Sequence, residues 1–381
     1  MKKVILGVER IKEFKTIFEG KRVGLITNPT GIDGHFNSTI DIFSSMGNLK
    51  TLFAPEHGIR GDFQAGEKFS SYIDKETGVI VYSLYTESRR PTKEMLEDID
   101  ILVFDIQDIG ARFYTYIYTM AYCMKSAKEF NKDFIVLDRP NSVNGEKVEG
   151  NILELEFKSF IGYYPIVQRH GLTIGELANL FNHEYNIGCN LTIIPMLNWQ
   201  RWMDYEDTGL PWVFPSQNIP TNHSAYAFLA TCIFEGTNIS EGRGTTKPFE
   251  MIGAPFIDAD HLAKSLNSLN LEGVFFRPVY FTPIASKYEK VLCAGVELHI
   301  TNRKTYEAVK TGWNMLYTIR NLYKDSFSVN APYVVGRPHM LDYNVGNDFM
   351  RKNTYNIAQL ENILKEDTEK FMSLRTNYLL Y

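Results

Sequence analysis

The sequence predicts an α/β chain, with a Rossmann-like, mainly parallel sheet domain followed by a smaller α+β domain. Three observations carry this. Continuous apolar runs alternate with helix-like segments through roughly the first 140 residues, the pattern of parallel strands covered on both faces. A turn-rich stretch with three prolines, Asp207-Thr-Gly-Leu-Pro-Trp-Val-Phe-Pro-Ser-Gln-Asn-Ile-Pro-Thr221, then interrupts the chain. Beyond it, strands and helices follow in a less regular order. The expected domains are residues 1–222 and 223–381.

The elements follow in chain order. Strand-sized apolar runs occur at Val23–Thr27, Lys50–Ala54, Val79–Leu84, Ile101–Asp105 and Phe134–Leu137. Helix-like segments lie between them at Ser38–Met46, Thr92–Asp98 and Arg112–Asn131. A further helix, Thr173–Tyr185, opens on the capping box Thr173-x-x-Glu176 and carries Ile174, Leu177, Leu180 and Phe181 on one face. The second half offers strands at Val274–Phe281 and Gly295–Ile300, and helices around His261–Leu269, Lys304–Tyr323 and Ile357–Leu374.

Composition excludes several functions. Hydrophobic residues make up 44% and charged residues 22%, the balance of a globular protein with a substantial core. The net charge is −5 and no Lys/Arg stripe occurs, so no nucleic-acid partner is expected. The apolar runs are too short for a membrane span. Glu9, Arg10, Lys12 and Glu13 interrupt any apolar leader after Met1-Lys-Lys-Val-Ile-Leu6. The expectation is therefore a cytoplasmic protein if the start is native, and an exported one if a leader was removed. Four dispersed cysteines without a CxxC pair read as buried thiols. Aromatic residues reach 13%; most should pack the core, and a minority should line a sugar-sized cleft.

In open α/β sheets, ligands bind beyond the carboxyl ends of the strands. Those ends read Pro55-Glu-His-Gly-Ile-Arg-Gly61, Asp105-Ile-Gln-Asp-Ile-Gly-Ala-Arg112 and Asp138-Arg-Pro-Asn141. Nucleotide chemistry does not fit: no GxGxxG follows the first strand, and Gly236-Thr-Asn-Ile-Ser-Glu-Gly-Arg243 fails the Walker spacing. A GxSxG elbow and an HExxH pair are both missing, and no cofactor or metal is expected. Carboxylate chemistry remains. A glycosidase needs an acid for the leaving oxygen and a second group to activate water or attack the anomeric carbon. Glu56, Asp105 and Asp108 are candidates from the first half, and Glu241 is a fourth from the Gly-rich loop of the second. Structural readings compete: Asp108 as a helix cap, Asp138-Arg139 as a local ion pair, the Gly-rich loop as a tight turn.

These motifs resemble the exo-β-N-acetylmuramidase NamZ family. The resemblance is carried by Ala54-Pro-Glu-His-Gly-Ile-Arg-Gly61, Val81-Tyr-Ser-Leu-Tyr85, Val103-Phe-Asp-Ile-Gln-Asp-Ile-Gly110 and Leu137-Asp-Arg-Pro-Asn141. It continues through Arg169-His-Gly-Leu-Thr173, Phe234-Glu-Gly-Thr-Asn238 and Glu241-Gly-Arg-Gly-Thr-Thr246, and spans residues 20–345 or so. One mild departure occurs, Pro215-Ser-Gln-Asn218 where the family usually reads Pro-Ser-Pro-Asn.

The resemblance implies an active site between two domains and release of N-acetylmuramic acid from the non-reducing end of peptidoglycan fragments. Glu56 matches the glutamate associated with catalysis. The second carboxylate stays open among Asp105, Asp108 and Glu241. Arg60, Arg112, Arg139 and Arg243 are candidates for the lactyl carboxylate, since a guanidinium fork matches it bidentately. His57, Tyr114, Asn141 and Asn218 complete the expected substrate contacts. The alternative is a non-catalytic muropeptide- or sugar-binding protein using the same cleft.

Overall fold

The computed structural model describes residues 2–62, 71–85 and 89–381. Its first sheet contains β1 (Val23–Thr27), β2 (Leu49–Ala54), β3 (Tyr72–Ile73), β4 (Ile80–Ser83), β5 (Ile101–Asp105), β6 (Asp133–Leu137) and β7 (Asn190–Ile194). The strand order is β3-β4-β2-β1-β5-β6-β7, and all pairings are parallel except β3 with β4. The order reverses direction between β1 and β5, the switch point of a doubly wound sheet.

The apolar runs are continuous because both faces are buried. Along β5, Ile101 and Val103 pack on one side while Leu102 and Phe104 pack on the other. Helix α1 (Thr39–Ser45) packs against β1 and β2, with Ile40 and Phe43 joining the Ile101/Val103 face. The opposite face is covered by α2 (Tyr116–Glu129) and α3 (Ile174–His183). Thr173 caps α3 through the expected box: its side chain accepts from Glu176 N, and Glu176 accepts from Thr173 N.

Helix α4 (Asn222–Thr231) leads into the second half. There β8 (Met251–Ala254), α5 (Ala259–Asn267), β9 (Val274–Phe281), β10 (Cys293–Ile300) and α6 (Ala308–Leu322) build an antiparallel sheet of order β8-β10-β9 backed by helices. Short helices α7 (Met340–Val345) and α8 (Phe349–Lys352) precede the long α9 (Ile357–Arg375). The tail after α9 returns to the first sheet. Arg375 donates to the Gly145 and Gly171 carbonyls, and the Tyr381 hydroxyl donates to Asp138 at 2.8 Å. Among the described residues, no helix is long and apolar enough to cross a membrane.

Sequence and structure differ in instructive places. Residues 112–115 are not helical; α2 begins at Tyr116, because Arg112 is drawn into backbone contacts with distant segments. Only a single 3-10 turn, Glu94–Leu96, forms within Thr92–Asp98. The segment at 190–194, to which the sequence reading assigned no element, is a partly exposed edge strand, and the apolar, nearly patternless α4 is packed between other elements.

Candidate active site

Pro55 to Gly58 form a tight turn at the end of β2, closed by the Gly58 amide donating to the Pro55 carbonyl at 3.1 Å. His57 sits in the left-handed region at φ 75°, a position where such a turn usually places glycine. A non-glycine residue there costs on the order of 1–3 kcal/mol. The turn presents Glu56 at the mouth of a cavity of about 190 Å³.

The N-terminus of α2 meets Glu56 from one side. Thr115, its N-cap residue, donates its hydroxyl to Glu56 Oε2 at 3.3 Å, and the helix dipole adds positive potential there. The Tyr116 hydroxyl donates to the Pro215 carbonyl at 2.7 Å, tying the proline-rich stretch to this helix end. That stretch is therefore a wall of the cavity as well as a connection, contributing Ser216, Asn218 and Ile219. Burial, with the Glu56 charge adding to it, raises the Tyr85, Tyr114 and Tyr116 hydroxyls above their ordinary values, so all three stay neutral.

The opposite wall comes from the second half. Phe228 on α4 packs edge-on against Tyr114 and Phe249, giving the cavity an aromatic lining. The chain then turns through Cys232–Gly236, which delivers Glu235 into the cavity. Gly236 is required at the close approach of α7: a Cβ would lie 2.2 Å from the Leu341 amide nitrogen. Arg243 reaches the same cavity. It pairs with Glu235, lies 3.3 Å from Glu241 Oε1 and stacks over the Phe249 ring. Cys232, also in the wall, is held as a thiol by burial and by the neighbouring Glu235.

Of the expected site residues, the structure gathers Glu56, His57, Tyr114, Asn218 and Arg243 around this cavity. Seven others are placed elsewhere, each for a physical reason. Asp105 is fully buried and its carboxylate is held by Arg139 (2.8 Å at Nη2) and by Thr39. Arg139 thus pairs with Asp105 rather than with Asp138, and its Nη2 also donates to the Ile32 carbonyl.

Arg112 is wholly buried with four backbone carbonyls as its acceptors: Asn151, Ile166, Asn344 and Val345. It ties the two halves together, and burial lowers its pKa to about 10. Asp108 accepts from the Gly110 amide and lies 3.3 Å from His170 Nε2, facing inward. Asn141 closes a local turn through Val143 N and donates to the Leu172 carbonyl. Arg60 turns outward to a two-pronged contact with Asp74. Glu241 is buried against Lys287 and touches the cavity only through Arg243.

Glu235 is the group that the sequence reading missed as a candidate. It lies in the quoted Phe234-Glu-Gly-Thr-Asn238 motif beside an obligatory glycine, and that pairing was the available signal. Among the described residues, no group of three His, Cys, Asp or Glu side chains is arranged to hold a metal ion.

Fold and cavity define a class: a two-part α/β protein with acidic side chains facing a small aromatic-walled cavity, the equipment of a glycosidase. The family model for the N-terminal part of the exo-β-N-acetylmuramidase NamZ matches residues 23–223, and that for its C-terminal part matches residues 226–381. The chain belongs to this family and is a glycoside hydrolase. It is 50% identical to the peptidoglycan β-N-acetylmuramidase NamZ of Bacillus subtilis over 385 residues, covering 100% of this chain and 92% of that protein. Two crystal structures of DUF1343 family proteins from Bacteroides fragilis are similar to it. One has a TM-score of 0.91 at 41% identity and the other 0.78 at 32%; each alignment covers 100% of this chain and 99% of the other.

Proposed function

We propose that the protein releases N-acetylmuramic acid from the non-reducing end of peptidoglycan fragments, with Glu56 as the acid that protonates the leaving oxygen. The observation carrying this reading is the convergence of Glu56, Glu235 and Arg243 on one aromatic-walled cavity. At about 190 Å³ the cavity lies below the ~300–1,000 Å³ of sites for drug-sized ligands, in keeping with one terminal sugar. Glu235 takes the role of second carboxylate because it lines the cavity, as Asp105, Asp108 and Glu241 do not.

Arg243 receives the lactyl carboxylate, with His57 as a further substrate contact in the wall. Phe228, Phe249 and Tyr114 face the apolar side of the sugar, and Asn218 a hydroxyl or amide. The division at residues 1–222 and 223–381 belongs to the same reading, with the cavity between the two units.

The test compares aryl β-N-acetylmuramide with aryl β-N-acetylglucosaminide, which lacks the lactyl ether. A site built around an arginine leaves that cation poorly matched by the second sugar, so kcat/KM should favour the muramide by roughly 10²-fold or more. Equal values on the two glycosides would contradict lactyl recognition, and dye release from neither would contradict the hydrolytic reading.

A further inference from the structure

The connection between β9 and β10, residues 282–292, contributes no side chain to the cavity wall, yet it grips the loop that does. Lys287 donates to three acceptors on that loop: the Phe234 carbonyl at 2.7 Å, the Ile239 carbonyl at 2.9 Å and Glu241 Oε2 at 2.9 Å. Three acceptors saturate an ammonium group. The two carbonyls bracket Glu235, one immediately before it and one four residues after. The neighbouring Tyr288 hydroxyl donates to the Asn238 carbonyl at 2.6 Å, and the Ile284 amide donates to the Gly244 carbonyl at 2.9 Å. Gly244 has φ 77°, and a Cβ there would lie 2.5 Å from the Ala285 carbonyl oxygen, so the two segments are in direct backbone contact.

We propose that Lys287 is a positioning residue for the hydrolytic reaction, setting Glu235 through the Phe234 and Ile239 carbonyls that flank it and Arg243 through Glu241. The charge sequence supports this. Glu241 is shared between Lys287 and Arg243, and Arg243 is shared between Glu241 and Glu235. Without the lysine, buried Glu241 keeps Arg243 as its one cation and draws the guanidinium away from Glu235 and the cavity. Releasing the Phe234 and Ile239 carbonyls at the same time frees the turn that aims Glu235. Small displacements of reacting groups are costly, about 10²-fold for 1 Å.

The inference rests on the reading of Glu235 and Arg243 as working groups, and the experiment separates the two. Lys287→Met, Lys287→Arg and Glu235→Gln are assayed on the aryl muramide, with Tm recorded for each. Lys287→Met should lower kcat roughly tenfold or more with a smaller change in KM. Lys287→Arg, which keeps a cation against Glu241, should retain more of kcat than the methionine variant. Wild-type kcat in folded Lys287→Met, beside a Glu235→Gln that has lost turnover, overturns the positioning role alone. Equal losses in Lys287→Met and Lys287→Arg that track a fall in Tm also overturn it, leaving a purely structural lysine. Wild-type turnover in Glu235→Gln overturns the reading beneath both. If Lys287→Met does not fold, Tyr288→Phe removes one hydroxyl contact from the same brace. It should lower kcat severalfold, and wild-type kcat there overturns the proposal.

Discussion

Asp105 and Glu56 both stand at carboxyl ends of strands in the first sheet, but their oxygens meet opposite surroundings. Asp105 ends β5 at the switch point, where doubly wound sheets ordinarily open a crevice for ligand. Here Arg139, Thr39, Thr27 and Thr30 fill that crevice, and the space left beside Arg139 is about 10 Å³. Glu56 lies beyond β2, two strands away from β5, on a turn with a left-handed residue facing a cavity of about 190 Å³. An acidic residue at a strand end is thus ambiguous until its partners are known. One held by buried donors in a filled crevice holds the fold, while one lining a cavity can meet a ligand.

The first way to break this contrast is to remove the buried pair. Asp105→Ala should destabilise the protein by about 3–5 kcal/mol, because it strands the Arg139 guanidinium out of water. Urea denaturation followed by tryptophan fluorescence measures this, and a loss under 1 kcal/mol would mean that the switch point is not sealed by the pair.

A smaller effect concerns Asp138, on the same rim and also buried. Burial pushes its carboxyl up to about 7, despite donors from Thr173, Gly175 and Tyr381. The folded pKa therefore exceeds the unfolded one, and between about pH 4 and pH 7 the folded state holds the extra proton. Stability should fall as pH rises through that window, by at most about 1.4 kcal/mol per pH unit from this group. In Asp138→Asn that component should vanish from the pH dependence of Tm; an unchanged slope would assign the titration to another group.

The smallest effect sharpens the other side of the comparison. Thr115→Val removes the hydroxyl that donates to Glu56 while keeping the side-chain volume. The loss should be about 0.5–1.5 kcal/mol in kcat/KM, a severalfold change, with stability nearly unaltered. An unchanged kcat/KM would detach the α2 N-terminus from the site.

Much of the architecture is legible in the sequence because two-sided burial leaves continuous apolar runs. Val23–Thr27, Ile101–Asp105 and Val274–Phe281 carry the bounds that the apolar pattern predicts. The edge strand at 190–194 was less legible, since its residues are half solvent-facing and its apolar run, Leu191-Thr-Ile-Ile194, is short and broken by a threonine. The site was legible only in part. Proline and glycine around Glu56 and His57 mark the turn, and small polar residues around Arg243 mark the loop. Sequence alone does not say where Arg112 points, because its four carbonyl partners lie 39 to 233 residues away. Glu235 escaped for the complementary reason: its motif looks like a tight turn, and only the packing of Gly236 on α7 reveals that the turn is aimed.

The most direct test of the central claim measures turnover and Tm together in two isosteric variants, Glu56→Gln and Asp108→Asn. An amide at position 56 cannot deliver a proton, so turnover of the aryl muramide should fall roughly 10²–10⁴-fold with Tm preserved. At position 108, where the carboxylate faces Gly110 and His170, the loss should instead appear chiefly in Tm. Near-normal turnover in well-folded Glu56→Gln would contradict the account and remove Glu56 from the chemistry.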